Sequence, residues 1–372
     1  MEDIHNLSLI SLIIKKDQSA IHDFLSRDTF DAESFTKFIK RNKISGYIFS
    51  ALKESHMIEL FPVKLVDHLH SHYINQRCKN MKILEEMEGL LDLLTRNGIK
   101  AIFLKGPFLA QRYYGDIGQR SIADIDLLVR KEDVFNYVDK LLKIEGYRLR
   151  SIPAFGQRLT TIFTHHYEYR KKLIKLDLHW VLQSHFSYKI NYNEIWGQKQ
   201  SFLYKDEAYN VLSDEYELVF QLLSMFMDIQ LGTIRLKSFV DVFVIIHCID
   251  SEIDWNQFFA EREKEGLFLI SLNIMDLVLQ ILNCQDDFCK LSEIVEKNKN
   301  YIIYKDFNQK IKLLNGSCFS FRNKIWAFQL YDSSFLKCFI WWLISLPFKL
   351  LVYQEVFLKP IKKSLNKRII KK

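Results

Sequence analysis

The sequence predicts an α+β fold, with a small mixed β-sheet between two helical regions. Apolar residues recur at helical spacing over residues 1–96 and 206–372, whereas alternation with a period of two is concentrated in 97–205. Only 12 glycines and 5 prolines serve 372 residues, which suits many helices and few elaborate turns. Hydrophobic content of 48% and charged content of 26% are ordinary for a globular chain. The length is enough for two or three lobes around substantial cores.

In the first region Leu9, Leu12 and Ile13 share a helical face, as do Phe35, Phe38 and Ile39. A longer helix is expected over 79–96, with Ile83, Leu84, Met87, Leu90, Leu91 and Leu94 on one stripe and Gly98 closing it. The middle region, 97–205, opens with a strand over 99–104 that ends at Lys105-Gly106-Pro107. Gly106 permits a tight turn, and Pro107 suits the first position of a helix over 108–114. Gly115 and Gly118 mark a loop. A strand over 124–129 follows, then an amphipathic helix over 131–145 stopped by Gly146. Strands are expected over 147–152 and 160–169, with Arg170-Lys171-Lys172 as a hairpin tip before a strand over 173–180. In the third region Asp214 and Glu217 suggest a capping box before a helix over 218–229. A strongly apolar helix over 234–248 carries Arg235 and Asp241, and Asp254 with Gln257 caps the next, which ends near Gly266.

The chemistry concentrates on the strands. Side chains alternate across a strand, so Asp124 and Asp126 share one face while Ile125, Leu127 and Val129 take the other. Two acids crowded on one face repel each other unless a cation sits between them, and a hard divalent ion such as Mg²⁺ takes oxygen ligands. A solvated strand end is the plain alternative. On the later strand Asp177 and His179 share a face opposite Leu176 and Leu178, which supplies a third acid. Two metal ions need more than two carboxylates, and the third can also take a proton from an attacking hydroxyl. The strand–glycine turn–helix at 104–108 is a place for phosphate, where free N–H groups and the charge of Lys105 face it. Arg120, four residues before Asp124, can aim a planar donor fork at the same pocket. His165 and His166 point to opposite faces of a strand, so they are not expected to hold one metal jointly, and His166 remains a candidate substrate contact.

Taken together, Leu104-Lys105-Gly106, Arg120 with Asp124-Ile125-Asp126-Leu127-Leu128-Val129, and Asp177-Leu178-His179-Trp180 resemble the nucleotidyltransferase superfamily that includes DNA polymerase β. More narrowly they look like a bacterial branch known mostly as nucleotidyltransferase family proteins. The resemblance implies a nucleotidyltransferase core at 97–205 flanked by the two helical regions. It implies transfer of an NMP from an NTP such as ATP to an acceptor hydroxyl on a small molecule, protein or RNA, with pyrophosphate leaving. The implied cofactor is Mg²⁺ at a two-metal site, with Mn²⁺ as a substitute. Asp124 and Asp126 would bridge the metals, and Asp177 would bind the second or act as base. Lys105, Gly106 and Arg120 would hold the nucleotide, and His179, His166, Arg235 and Asp241 are candidate substrate contacts. For Arg235 and Asp241 a helix–helix ion pair is the competing role. The superfamily commonly has Gly-Ser or Gly-Gly where this chain has Lys105-Gly106, and the branch more often has Glu where it has Asp177. Lys105 therefore also favours an alternative, a non-catalytic nucleotide- or partner-binding protein that keeps the fold.

Charge is unevenly placed. From Lys359 to Lys372 there are seven bases and no acids, and the remaining 45 bases balance 45 acids. A neutral body with a basic tail argues against a broad nucleic-acid surface. The apolar run Cys338–Phe348 is too short to span a bilayer. It is expected as a packed helix ending at Pro347, and with the tail as a candidate peripheral membrane contact over 338–372. The six cysteines lack metal-type spacing and the start lacks the order of a signal peptide, so buried reduced thiols and a cytoplasmic location are expected.

Overall fold

A computed structural model describes residues 2–27, 30–150, 161–314 and 321–352. Seven strands form one mixed sheet: β1 (Ala101–Leu104), β2 (Ile125–Val129), β3 (Arg148–Leu149), β4 (His166–Lys171), β5 (Ile174–His179), β6 (Gln200–Tyr204) and β7 (Glu207–Val211), ordered β3-β4-β5-β2-β1-β7-β6. The central pairs are β1–β2, antiparallel, and β2–β5, parallel.

The sheet separates two apolar cores. Alternation sends Phe103, Ile125, Leu127 and Val129 into one, together with Ile83, Leu84, Met87, Leu90 and Leu94 of a long helix. Ile102, Leu104 and Leu128 face the other, where N-terminal residues such as Leu9, Ile39 and Ile48 pack with Phe226, Val240 and Leu272 of the C-terminal region. The two flanking helical regions therefore share one core. Each fully buried Leu, Ile or Phe contributes about 1.5–3 kcal/mol.

The long helix runs from Val63 to Arg96, 34 residues, or about 51 Å at 1.5 Å per residue. It starts well before the expected position 79, after Pro62, and ties the two cores together: Leu65 and Leu69 lie in one, Ile83 to Leu94 in the other. The helix Ser45–Glu54 crosses the loop 116–120 so closely that a Cβ on Gly46 would stand 2.3 Å from the Gly118 carbonyl oxygen. Gly46→Ala should therefore destabilise the protein by about 1–3 kcal/mol, the range for overpacking, measurable as a lowered urea midpoint. An unchanged midpoint would show that this contact yields freely.

Several expectations need correction. The strand expected over 160–169 begins only at His166; residues 161–163 are helical, and Thr164 and His165 lead into β4 through a bend. Of the strand expected over 147–152, Arg148–Leu149 form β3, Arg150 N still donates to the Glu168 carbonyl, and residues 151–152 lie outside the described residues. The hairpin turn is Lys172-Leu173, not 170–172. A further hairpin, β6–β7, turns at Lys205-Asp206 with both residues at positive φ (47° and 66°), so the sheet extends to Val211. Ser213, not Asp214, caps the helix Asp214–Leu231; Asp254 caps Trp255–Lys264 as expected. The apolar helix spans Leu236–Ile249, with Arg235 at its N-cap. The last described helix, Phe335–Val352, passes through Pro347. Cys284 and Cys338 are buried, but Cys78, Cys248 and Cys289 are exposed, and Cys318 lies outside the described residues. Among the described residues no helix is long and apolar enough to cross a membrane.

Candidate active site

The registers of β2, β5 and β4 build the site. Asp126 stands beside Asp177, and Asp177 beside Glu168, so three acids form a row across three neighbouring strands. Two residues along the strands, His179 lies beside His166; two residues the other way, Lys175 lies beside Arg170. Strand parity puts all of them on one sheet face. The face carries a band of bases, a band of acids and a band of imidazoles.

Lys175 joins the aspartates. Its Nζ lies 2.7 Å from Asp177 Oδ2 and 3.2 Å from Asp124 Oδ2. Glu168 is held by Arg170 Nε at 2.9 Å and stands 3.8 Å from Lys175. His179 Nε2 contacts Asp126 Oδ1 at 3.1 Å, and His166 Nε2 lies 3.9 Å from Asp177 Oδ2. Asp126 and Asp177 are both buried, at 8% and 6% exposure. Burial opposes ionisation of Asp126, but the charge of Lys105 and the His179 contact hold its carboxyl below the usual range. Asp177 goes the other way: burial first, and then the charges of Asp124 and Asp126, push it up to about 8 despite Lys175. Its Oδ1 is buried with no hydrogen-bond partner among the described residues. One ammonium does not satisfy this cluster, and its hard oxygen donors fit a divalent cation of the Mg²⁺ type.

Opposite the acids stands the turn after β1. Gly106 has φ +62°, and Lys105 itself adopts φ +46°, ψ −138°, a conformation that side chains rarely accept. The turn aims Lys105 back over the sheet, with Nζ 4.1 Å from the Phe220 ring centroid and close enough to Asp126 to shift it. Helix Asp214–Leu231 forms the far wall with Phe220, Ser224, Met227 and Asp228. The resulting cleft holds about 380 Å³, within the usual range of roughly 300–1,000 Å³ for small-molecule sites.

Lys105, Gly106, Arg120, Asp124, Asp126, His166, Asp177, His179 and Arg235 all line this cleft. Asp241 does not line it; it lies beneath, 1% exposed. The ion pair foreseen for the apolar helix is real but has other partners. Arg120 grips Asp241 through Nε (2.7 Å) and Nη2 (2.9 Å), Lys237 adds Nζ at 2.9 Å, and the Tyr114 hydroxyl donates to Oδ1. Arg235 instead donates to the carbonyls of Thr233 and Ile234.

The histidines correct a second expectation. His165, His166 and His179 each offer a ring nitrogen within 4.8 Å of the others. His165 sits in the bend ahead of β4, so strand alternation does not send it away from His166. Burial, with His165 and His179 alongside, holds His166 well below the usual histidine range, hence neutral. Lys175 and Glu168 are functional-face residues that sequence reasoning passed over; parity with Asp177 and with His166 was the available signal.

A family model described as "Uncharacterised nucleotidyltransferase" matches residues 28–283. No curated protein matches the chain. Among solved structures, the solution structure of the antibiotic-resistance factor ANT(2'')-Ia is similar at 11% identity, covering 50% of this chain and 94% of that one, with a TM-score of 0.36. The crystal structure of an antigenic nucleotidyltransferase-like protein from Paracoccidioides brasiliensis is similar at 16% identity, covering 47% and 84%, with a TM-score of 0.28. Both likenesses are distant, whereas the family model spans most of the chain and every acid of the cleft, and the protein belongs to this uncharacterised nucleotidyltransferase family.

Proposed function

We propose that the protein moves an NMP from an NTP to an acceptor hydroxyl, with Asp124, Asp126 and Asp177 holding Mg²⁺ and Lys105-Gly106 receiving the phosphates. The observation that carries this reading is the side-by-side register of Asp126 and Asp177, with Asp124 joined to them through Lys175 and the Lys105 turn facing the group. Bound there, the cation would polarise phosphate oxygens and acidify the acceptor hydroxyl. Lys105 supplies positive charge to the phosphates at a fixed position, because its own backbone is locked into the turn. His179, bonded to Asp126, orients that carboxylate. Asp177 either completes the ligand set or receives the acceptor's proton. Arg120 stands at the cleft edge with its fork committed to Asp241, so its charge reaches the phosphates as a fixed field rather than as a direct grip.

In this reading Lys175 is the resident counter-ion that the divalent cation displaces from Asp124 and Asp177. Lys175→Met should then bind Mn²⁺ about tenfold or more tightly, since a competing unit charge a few ångströms away is removed. Electron paramagnetic resonance titration of free Mn²⁺ reads this directly. Equal or weaker binding would show that the ammonium does not compete.

The same lysine favours a second reading, a nucleotide-binding protein without catalysis whose acids are already bridged by Lys175. One experiment separates the two. Purified protein is incubated with each α-32P-labelled NTP, Mg²⁺ or Mn²⁺, and a cell extract, beside Asp124→Ala/Asp126→Ala. Label appearing in protein, RNA or small molecules with the wild type only supports transfer and names the acceptor class. Retained NTP binding with no transfer supports the second reading.

A further inference from the structure

The last described helix, Phe335–Val352, is packed on one side only. Its inner side is anchored: Cys338 and Ser345 are buried, Trp341 lies against Phe163 (4.9 Å between ring centroids) and Phe186 (5.5 Å), and Trp342 against Phe328 (6.3 Å). Its outer side is apolar and open. Leu336 is 65% exposed, Ile340 45%, Leu343 46% and Ile344 52%. These positions are spaced four, three and one apart, with exposed Pro347 three further on, so they form one continuous stripe along the helix. Scattered exposed leucines are ordinary, but a stripe of four large aliphatic side chains on one helix is not.

The chain that follows identifies what the stripe meets. Residues 359–372 contain seven bases and no acid, and Lys337 and Lys349 flank the stripe itself. Apolar side chains beside concentrated positive charge match one surface chemistry, an anionic lipid bilayer, which offers hydrocarbon beneath a negative headgroup layer. The helix has no apolar length to cross such a layer and would lie along it. A second copy of the chain is a poorer match, because each copy carries a net charge of +7 and like charges oppose the contact.

We propose that the outer face of helix 335–352, with the basic residues 359–372, docks the protein on anionic membrane. The anchoring side connects this surface to the cleft region: Phe163, against which Trp341 packs, lies two residues before the cleft-lining His165. Docking stands independently of the proposed chemistry, since none of the stripe residues lines the cleft.

The test is flotation of the full chain with phosphatidylcholine vesicles, with and without about a third phosphatidylserine. The wild type should float with the anionic vesicles only, and less as salt rises, since screening weakens the tail's attraction. Leu336→Gln/Ile340→Gln/Leu343→Gln/Ile344→Gln should cut the vesicle-bound fraction about tenfold, and so should replacing Lys362, Lys363, Lys367 and Arg368 with Gln. Because the stripe is already solvent-exposed, its variant should melt at the wild-type temperature, and the tail variant changes no residue of helix 335–352. No flotation of the wild type, or equal flotation of either variant, overturns the proposal. So does light scattering that shows a dimer converted to monomer by the stripe substitutions, which would assign the face to a second copy.

Discussion

Asp126→Ala should lower nucleotidyl transfer about a thousandfold or more, the scale on which removing one positioned electrostatic partner acts and equivalent to about 4 kcal/mol of activation free energy. Asp126 is the middle of the site: it stands beside Asp177 in register, contacts His179, and feels Lys105. β2 fixes both its register and its face. The fold should survive. Removing Asp126 relieves repulsion with Asp177, but it costs the His179 contact and the attraction of Lys105 that together hold the Asp126 carboxyl ionised. The expected result is thus a lost rate with intact NTP binding and a melting temperature unchanged or modestly lowered, since a carboxyl held below its usual range stabilises the fold at neutral pH. Asp126→Asn, which keeps the shape, should lose nearly as much, since an amide does not hold a divalent cation as a carboxylate does. Retained activity in either variant would place the chemistry elsewhere.

Asp241→Ala should have the largest effect on stability, about 3–5 kcal/mol, the range for breaking a buried ion pair from one side. Asp241 satisfies Arg120, Lys237 and Tyr114 together, and Arg120 is only 4% exposed, so its loss strands Arg120 in the interior and leaves Lys237, at the cleft wall, without its carboxylate. Burial works against the Asp241 carboxylate, but Arg120 and Lys237 hold its pKa below the usual range. The sign follows: a depressed native pKa gives stability that is full above the unfolded value of about 3.9 and is lost as pH falls through the native one. The gap between wild type and Asp241→Ala in urea unfolding should therefore be constant at neutral pH and shrink in acid. The exposed pair Arg96–Asp92 is the control, with its side chains 78% and 55% exposed; Asp92→Ala should change stability by about 0.5 kcal/mol or less. If Asp241→Ala kills activity at unchanged stability, Asp241 contacts substrate instead of holding Arg120.

The acidic face was legible because a strand's period of two assigns faces without knowledge of partners: Asp124, Asp126, Asp177 and His179 could be placed from their spacing alone. The partners were not legible. That Arg120 meets Asp241, 121 residues away, depends on how helix Leu236–Ile249 crosses the loop after β1, and no local pattern encodes that. Lys175 shares its face with Asp177, but an isolated lysine on a strand reads as a solvated charge until a neighbouring strand brings Asp124 to it. The His165 error came from a boundary: alternation was extended six residues ahead of the true strand start at His166, and His165 lies one residue outside it. The β6–β7 hairpin was readable in hindsight, since Phe202 and Tyr204 alternate toward Tyr209 and Val211 across Lys205-Asp206. A Lys-Asp pair at positive φ is simply not the Asn-Gly signal that announces such turns.

The most direct measurement is anomalous scattering from Mn²⁺ in crystals grown with a non-hydrolysable NTP. The account predicts metal density between the carboxylates of Asp124, Asp126 and Asp177, Lys175 withdrawn from them, and the triphosphate against Lys105-Gly106. Metal held by His165, His166 and His179 alone, or none in the cleft, would contradict it.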